Sequence, residues 1–218
     1  MSIRDSLRPR PRPPASRGYT AVEVMLAMTV LLIGSASVMT MQKTSIQSNM
    51  DARKLDIANS IAHDWIERLT ADAALWTLPS TNFPGASNQS STKWLTNYSA
   101  SAPATPFLPT LPSSQATAEG NSPAFDILGR DLASGNAANA AFCVHVSLLQ
   151  LALDTMSPQN PVLFRATVIV FWPKFLAQSG AIPAGFCTTY FDVAAAEAAH
   201  PGTWHIIYAT TAIRRTPI

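Results

Sequence analysis

Residues 18–42 read GYTAVEVMLAMTVLLIGSASVMTMQ, and this stretch decides how the rest of the 218-residue chain is organised. From Val24 to Gln42 there are 19 residues without a formal charge, and Lys43 closes the run. A helix of that length rises about 28 Å at about 1.5 Å per residue, close to the hydrocarbon thickness of a bilayer. The stretch therefore predicts one membrane-spanning helix.

Residues 1–18 form a basic, proline-rich leader. Asp5 is their only acidic residue, against five arginines, which are Arg4, Arg8, Arg10, Arg12 and Arg17. The leader is predicted to be extended, because proline fixes φ and lacks an amide donor. By the positive-inside rule, the N-terminus stays in the cytoplasm and the chain after Lys43 crosses the membrane.

The composition agrees with a membrane segment and argues against nucleic-acid binding. Charged residues make up 13% of the chain, whereas about 25% is usual for soluble proteins. The net charge of +2 arises in the leader, and the remainder is slightly acidic. The chain after the leader therefore lacks the basic surface that nucleic-acid binding requires.

Two simpler interpretations of the apolar run remain open. A cleaved secretory signal would use Val24 to Ile33 as its apolar region and a small-residue site near Ser35 and Ser37. A plain signal anchor would explain the hydropathy but not Glu23, because an unpaired carboxylate beside an apolar span is costly to bury.

The junction GYTAVE at residues 18–23, behind a basic leader and before an apolar run, resembles the processing site of the type IV prepilin family. The family pattern is a glycine, an aromatic residue, a threonine, two apolar residues and a glutamate. The resemblance implies that a prepilin peptidase cleaves between Gly18 and Tyr19 and methylates the new amine of Tyr19. Tyr19 stands where phenylalanine is usual, and Ala21 where leucine is usual.

The same resemblance implies a role for Glu23 in filament assembly. A carboxylate buried among packed helices needs a positive partner, and the freed amine of Tyr19 in an adjacent subunit supplies one. An incidental acid at the membrane edge is the alternative.

The helix is predicted to continue beyond the membrane as an amphipathic segment. Its apolar positions follow the i, i+3, i+4 pattern at Ile46, Met50, Ile57, Ala58, Ile61, Ala62, Trp65, Ile66 and Leu69. No glycine or proline interrupts it between Ser35 and Trp76, so it should run from Tyr19 to about Leu75 and stop before Pro79. A coiled-coil stalk is the alternative, but the apolar stripe spans too few heptads to favour one.

Residues 79–123 are predicted to be a loop region. They contain seven prolines, nine serines and six threonines, with only Lys93 and Glu119 charged. Such a composition cannot build regular structure over its length. Five apolar residues could pin the region to the domain or meet a partner; they are Trp94, Leu95, Tyr98, Phe107 and Leu108.

Residues 124–218 are predicted to form an antiparallel sheet. Apolar residues recur at every second position from Phe142, Phe164 and Trp204, and Phe186 to Val193 is a shorter candidate strand. One face of the sheet can cover the amphipathic half of the long helix. The predicted fold class is α+β and type IV pilin-like, and the predicted domains are the leader (1–18), long helix (19–78, with 19–42 transmembrane), loop region (79–123) and sheet (124–218).

Cys143 and Cys187 fall in the predicted sheet. Export across the membrane permits their oxidation, so a disulfide is expected, with two buried free thiols as the alternative. The four histidines show no HExxH spacing, and there is no glycine-rich phosphate loop or GxSxG elbow. No catalytic residue, metal site or cofactor is therefore expected, and the chain is predicted to be the substrate of an enzyme rather than an enzyme.

Within the prepilin family, the chain most resembles minor pilins of the PilV type that modify the pilus. The resemblance implies that the major pilin, other minor pilins and prepilin peptidase are partners, with a tip adhesin as an additional candidate. It implies a single-pass inner-membrane location before assembly and then a place in the extracellular pilus, near its tip. A type II secretion pseudopilin and an uncleaved, membrane-anchored periplasmic binding domain are the alternatives.

Overall fold

The computed structural model describes residues 18–77, 91–153, 161–174 and 185–215, and the chain has an α+β fold. A long N-terminal helix, α1, precedes a four-stranded antiparallel sheet, so the predicted combination of these two elements is confirmed. Residues 1–17 of the predicted extended leader, residue 78 of the predicted long helix and residues 79–90 of the predicted loop region lie outside the described residues.

Helix α1 spans Ala21–Thr77, which is 57 residues, and ends two residues after the predicted position. The chain divides into two compact units, residues 1–50 and residues 51–218. In the second unit, α1 buries seven apolar residues at helical spacing, which are Ala58, Ile61, Ala62, Trp65, Leu69, Ala73 and Trp76. From Ile57 onward, the stripe predicted from the sequence is therefore the face of α1 that enters the core, whereas Ile46 and Met50 are exposed.

The sheet is a simple meander in which each strand pairs with the next one along the chain. Its strands are β1 (Ala124–Phe125), β2 (Phe142–Leu153), β3 (Pro161–Pro173) and β4 (Trp204–Arg214), and all pairs are antiparallel. The three long strands are the ones that apolar alternation predicts. Val146 lies opposite Val168, and Val168 opposite Ala209, so one alternation continues across the sheet.

One face of the sheet packs on α1. Its buried residues alternate along β2 and β3 with one contribution from β4, and they are Phe142, Val144, Val146, Leu148, Phe164, Ala166, Val168, Val170, Trp172 and Ile213. Trp76 on α1 lies against Phe164 with ring centroids 4.9 Å apart. This helix-on-sheet layer is the main core of the second unit.

The opposite face carries a second, smaller core. Cys143, Ile169, Phe171 and Trp204 on this face pack with Phe186, Cys187 and Val193 from the segment before β4. That segment includes the short helix α3 (Val193–Ala199), whose first turn is capped by Asp192. The sheet therefore has both faces covered in part.

The predicted strand from Phe186 to Val193 is wrong. Residues 185–188 form a turn with Gly185 at φ +69°, and Thr188 donates its backbone N–H to the Gly185 carbonyl. Phe186 and Cys187 are buried through packing on the sheet face and not through a strand ladder. The two residues are adjacent and both buried, whereas residues 188–190 are exposed, so the segment lacks the alternating burial of a strand.

Residues 91–123 are largely irregular, apart from a 3-10 turn (Leu95–Asn97) and a short helix, α2 (Gln115–Ala118). Their apolar side chains pack on the domain: Leu95 is fully buried, Trp94, Tyr98 and Phe107 contact the main core, and Leu108 contacts the second core. The buried carboxylate of Asp72 accepts hydrogen bonds from the backbone N–H groups of residues 93–95. These residues therefore pin the region to its own domain.

Candidate functional site at the start of the long helix

Gly18, Tyr19 and Thr20 form an exposed, non-helical segment immediately before α1. The Tyr19 side chain is 82% exposed, and no atom lies within 4 Å of the position that a side chain on Gly18 would occupy. The peptide bond between Gly18 and Tyr19 is thus uncrowded by the rest of the described chain. A protease can approach the backbone most closely at such a glycine.

Thr20 caps the first turn of α1. Its side-chain Oγ1 accepts a hydrogen bond of 3.3 Å from the backbone N–H of Glu23, and its carbonyl accepts bonds from the N–H groups of Glu23 and Val24. Thr20-Ala21-Val22-Glu23 has the threonine and glutamate spacing of a capping box. This cap was not predicted from the sequence, although the threonine and glutamate spacing is its signal.

Glu23 lies in the first turn of α1 and is exposed. The positive end of the helix dipole favours a carboxylate there. Among the residues that the structure describes, no cation forms an ion pair with Glu23.

The first half of α1 exposes a continuous apolar surface. Its exposed large side chains are Val22, Val24, Met25, Leu26, Met28, Val30, Leu31, Leu32, Ile33, Val38, Met39 and Met41. This helix is long and apolar enough to cross a membrane, judged by length and composition. An unburied apolar surface of this length is unstable in water and requires lipid or other helices around it.

The hydroxyl groups on this half of α1 are satisfied within the helix. Thr29, Ser35, Ser37 and Thr40 each donate to a backbone carbonyl three or four residues earlier, at distances of 2.8–3.0 Å. Since these donors need no water, the polar residues of the run do not oppose transfer into an apolar environment. The helix also continues through Gly34 without interruption.

The predicted disulfide between Cys143 and Cys187 is present. The two Cα atoms are 5.5 Å apart, and the bond ties β2 to the turn at residues 185–188. Both cysteines are fully buried in the second core. The bond thus attaches to the sheet a segment that has no strand hydrogen bonds of its own.

His145 follows Cys143 on the same face of β2 but lies in a packed aromatic environment. Its ring stacks on Tyr190 at 5.0 Å between centroids and meets the edge of Phe171 at 4.8 Å. Burial lowers the pKa of His145 to about 4, although the nearby carboxylate of Asp192 acts in the opposite direction. Within the described ranges, no group of three or more His, Cys, Asp or Glu side chains could hold a metal ion.

The fold and the exposed apolar first half of α1 define a class of protein. It is an α+β domain built on a long helix whose exposed first half is suited to contact with lipid or with other helices. Searches against family models, curated proteins and solved structures find no match to the chain. The function is therefore argued from the junction and the helix themselves.

Proposed function

We propose that this chain is a minor pilin of a type IV pilus. The observation that carries the proposal is the accessible Gly18–Tyr19 bond directly before a helix that has one bare apolar half and one half packed on a sheet. A protein that is only anchored in the membrane needs the apolar half of α1 and nothing else at this junction. The uncrowded glycine and the glutamate in the first turn are additional features that a processed, assembling subunit uses.

Processing is a hydrolysis of the Gly18–Tyr19 bond on the cytoplasmic side of the inner membrane. Water adds across the bond, giving the Gly18 carboxylate and the free amine of Tyr19. The same peptidase then transfers a methyl group to that amine from a sulfonium methyl donor, which leaves as the thioether while the amine loses a proton. The non-helical backbone of residues 18–20 suits this step, because a peptidase does not bind its substrate as a helix.

Assembly transfers the apolar half of α1 from lipid to a bundle of neighbouring helices. Glu23 then leaves water, and its charge costs free energy unless a cation meets it. The Tyr19 amine of an adjacent subunit is such a cation. This pairing links the processing step to assembly, because the uncleaved chain has no amine at Tyr19.

The chain then joins other minor pilins in a complex that primes the pilus and remains near its tip, in contact with the major pilin. The pinned residues 91–123 and the two-sided sheet give the domain a fixed surface for such lateral contacts. Before assembly, the chain resides in the inner membrane with its N-terminus in the cytoplasm.

The processing step is tested with two glycine variants of the full chain. Gly18→Val should block cleavage, so that the protein persists at full length in membranes. Gly34→Ala is the matched control, because a side chain at Gly34 also meets no atom within 4 Å, and this variant should be processed normally. Cleavage of both variants alike would contradict the proposed junction.

Deletion of the gene distinguishes a minor pilin from the two alternative functions, a type II secretion pseudopilin and an uncleaved periplasmic binding domain. Loss of surface pili and twitching motility is the expected result. Loss of exoprotein secretion with intact pili would indicate a type II secretion pseudopilin. Retention of both functions, with the chain absent from sheared surface fibres, would indicate an uncleaved periplasmic binding domain.

A further inference from the structure

Strand β4 lies at one edge of the sheet, and the backbone of every second residue points away from β3. In the described part of the chain, β4 pairs with β3 alone, and their register has no shift. At the two ends of β4, Lys174 donates its N–H to the Thr203 carbonyl, and Arg215 donates to the Val162 carbonyl. Because hydrogen-bonded positions alternate in an antiparallel ladder, the odd-numbered residues of β4 bond to β3. The even-numbered residues therefore direct their N–H and C=O groups outward.

Glu197 on α3 closes the beginning of this outer side. Its carboxylate accepts hydrogen bonds from the backbone N–H groups of Gly202 and Trp204, at 2.6 and 2.8 Å. Four further outward residues follow, and among the described residues their backbone groups have no hydrogen-bond partner; they are Ile206, Tyr208, Thr210 and Ala212. We name residues 206–212 the open edge. Such unpaired backbone groups are a template for a neighbouring strand.

The chain covers the other long edge of the sheet but not this one. On β2, Val146 forms a bridge with Phe107, and Leu149 forms a bridge with Ser99. Proteins usually protect an exposed edge with charged residues, proline, a bulge or a very short strand. Strand β4 is 11 residues long, and residues 204–213 contain no Lys, Arg, Asp, Glu or Pro. The open edge is therefore suited to pairing with a further strand.

The side chains of the open edge indicate which kind of strand fits. On the face toward α1, Ile207 and Ala209 are half-buried and pack on the main core. On the other face, Tyr208 is 60% exposed, and Thr210 and Ala212 are exposed. Cross-strand neighbours on one face lie side by side. An added strand would thus place apolar side chains on the α1 side and polar side chains on the other.

Arg214 supplies a cation at the end of the open edge. It is exposed and, within the described ranges, forms no ion pair. As an even-numbered residue, it lies on the same face as Thr210 and Ala212. A carboxylate on the polar face of an added strand would meet the guanidinium group there, so the partner segment should be acidic at this end.

A second copy of this chain fits the open edge poorly in either direction. Two β4 strands paired antiparallel would run residues 51–77 of α1 in opposite directions, whereas copies anchored in one membrane run the same way. Paired in parallel about a two-fold axis, the strands would place Arg214 beside Arg214. Like charges that face each other across strands are destabilising.

We propose that the open edge binds an extended segment of a different protein as a fifth strand of the sheet. The segment is about seven residues long, alternates apolar and polar side chains, and carries Asp or Glu beside Arg214. Backbone hydrogen bonds supply the affinity of such strand addition, and the alternate side chains supply its specificity. The inference goes beyond the proposed function, because it depends neither on cleavage at Gly18 nor on assembly into pili.

Photocrosslinking of the full chain in the membranes of its own cells tests this contact. Tyr208 is replaced by p-benzoylphenylalanine, whose ring would lie beside a cross-strand neighbour in the added segment. The expected product joins the chain to a different protein. Mass spectrometry of the crosslinked peptide should show alternating apolar and polar residues, with an acidic residue at the end that meets Arg214.

Two matched pairs of variants in the crosslinking chain separate strand addition from chance proximity. Thr210→Pro removes an outward N–H but no bond to β3, and it should lower the yield about tenfold, the ratio for about 1.4 kcal/mol. Thr210→Ala keeps that N–H and should leave the yield unchanged. Arg214→Glu should lower the yield about threefold, as for the loss of one exposed ion pair. Arg53→Glu, at an exposed position of α1, should not lower it.

Urea unfolding of Thr210→Pro shows whether the proline disturbs the fold. If its midpoint falls below that of Thr210→Ala, the pair at Arg214 and Arg53 decides, because it leaves the backbone unchanged. Equal yields from Thr210→Pro and Thr210→Ala, or from Arg214→Glu and Arg53→Glu, would overturn the proposal. So would the absence of a product, or a product that joins two copies of this chain.

Discussion

The carboxylate of Asp72 on α1 lies 2.7 Å from the backbone nitrogen of Lys93, which is 21 residues further along the chain. The same carboxylate also accepts from the N–H groups of Trp94 and Leu95, at 2.8 and 3.2 Å. One side chain therefore satisfies three consecutive amides and fixes the beginning of the described part of the loop region. The edge of Trp94 then packs on Trp65, with centroids 5.4 Å apart.

Replacing Asp72 should destabilise the domain more than replacing an exposed acid on the same helix. Asp72→Ala removes the acceptor for three amides, and the expected loss is about 3 kcal/mol in the free energy of unfolding. Asp64→Ala, at an exposed position, should change stability by less than about 0.5 kcal/mol. Urea unfolding of the detergent-solubilised chain, followed by tryptophan fluorescence, measures both values. Equal values for the two variants would contradict the pinning role.

The disulfide should stabilise the folded domain because it closes a loop with a sequence separation of 44 residues. The chain-entropy relation gives about 4 kcal/mol for a loop of this length, and measured values are commonly about 2–4 kcal/mol. Replacing both Cys143 and Cys187 by alanine should lower the unfolding midpoint accordingly. Addition of reductant should destabilise the native protein but not this variant. An unchanged midpoint in the variant would contradict the prediction.

The stability of the domain should fall between pH 6.5 and pH 4 because of His145. Burial lowers its folded pKa to about 4, while the unfolded chain binds a proton at the ordinary value near 6.5. Above pH 6.5 the His145 side chain is neutral in both the folded and the unfolded state, and the domain has its full free energy of unfolding. As the pH falls, the unfolded state takes up the proton first, and about 3 kcal/mol is lost by pH 4.

His145→Phe should abolish this pH-dependent loss, since phenylalanine keeps the aromatic packing without a titrating group. His63→Ala serves as the control, because His63 is exposed on α1 and should leave the slope unchanged. Chemical unfolding at several pH values measures this slope, which is the change in the free energy of unfolding with pH. A slope that persists in His145→Phe would assign the loss to other groups.

Glu23 should be required for assembly but not for cleavage. Glu23→Ala leaves Gly18 and Tyr19 in place, so processing should be normal, whereas recruitment into sheared pili should fall because the Tyr19 amine loses its partner. Glu67→Ala, an exposed acid in the second half of α1, should be recruited normally. Normal incorporation of the Glu23 variant would rule out the assembly role.

The long helix and the three long strands could be predicted because the pattern of apolar residues in each extends over many positions. The apolar run and stripe define α1, and alternation over about ten residues defines β2, β3 and β4. The segment at Phe186 was misassigned because its apolar residues are buried by the disulfide and by aromatic packing, not by a strand ladder. The alanine-rich α3 begins at Val193, the last residue of that predicted strand, and no helix was predicted there.

The candidate site could be located from sequence, but several of its supporting contacts could not. GYTAVE marks the junction in the sequence itself, because the features that matter there are local. In the sequence, Asp72 resembles a solvent-exposed acid on the polar face of an amphipathic helix. Only the fold brings the backbone N–H groups of residues 93–95 to its carboxylate.

The mass of the mature N-terminus tests the central claim most directly. The chain is purified from sheared surface fibres and from membranes, and its N-terminal peptide is examined by mass spectrometry. The proposal predicts that the protein in fibres begins at Tyr19 with a single methyl group on its amine. A protein that retains Met1, or that begins beside Ser35 or Ser37 after removal of a secretory signal, would contradict it.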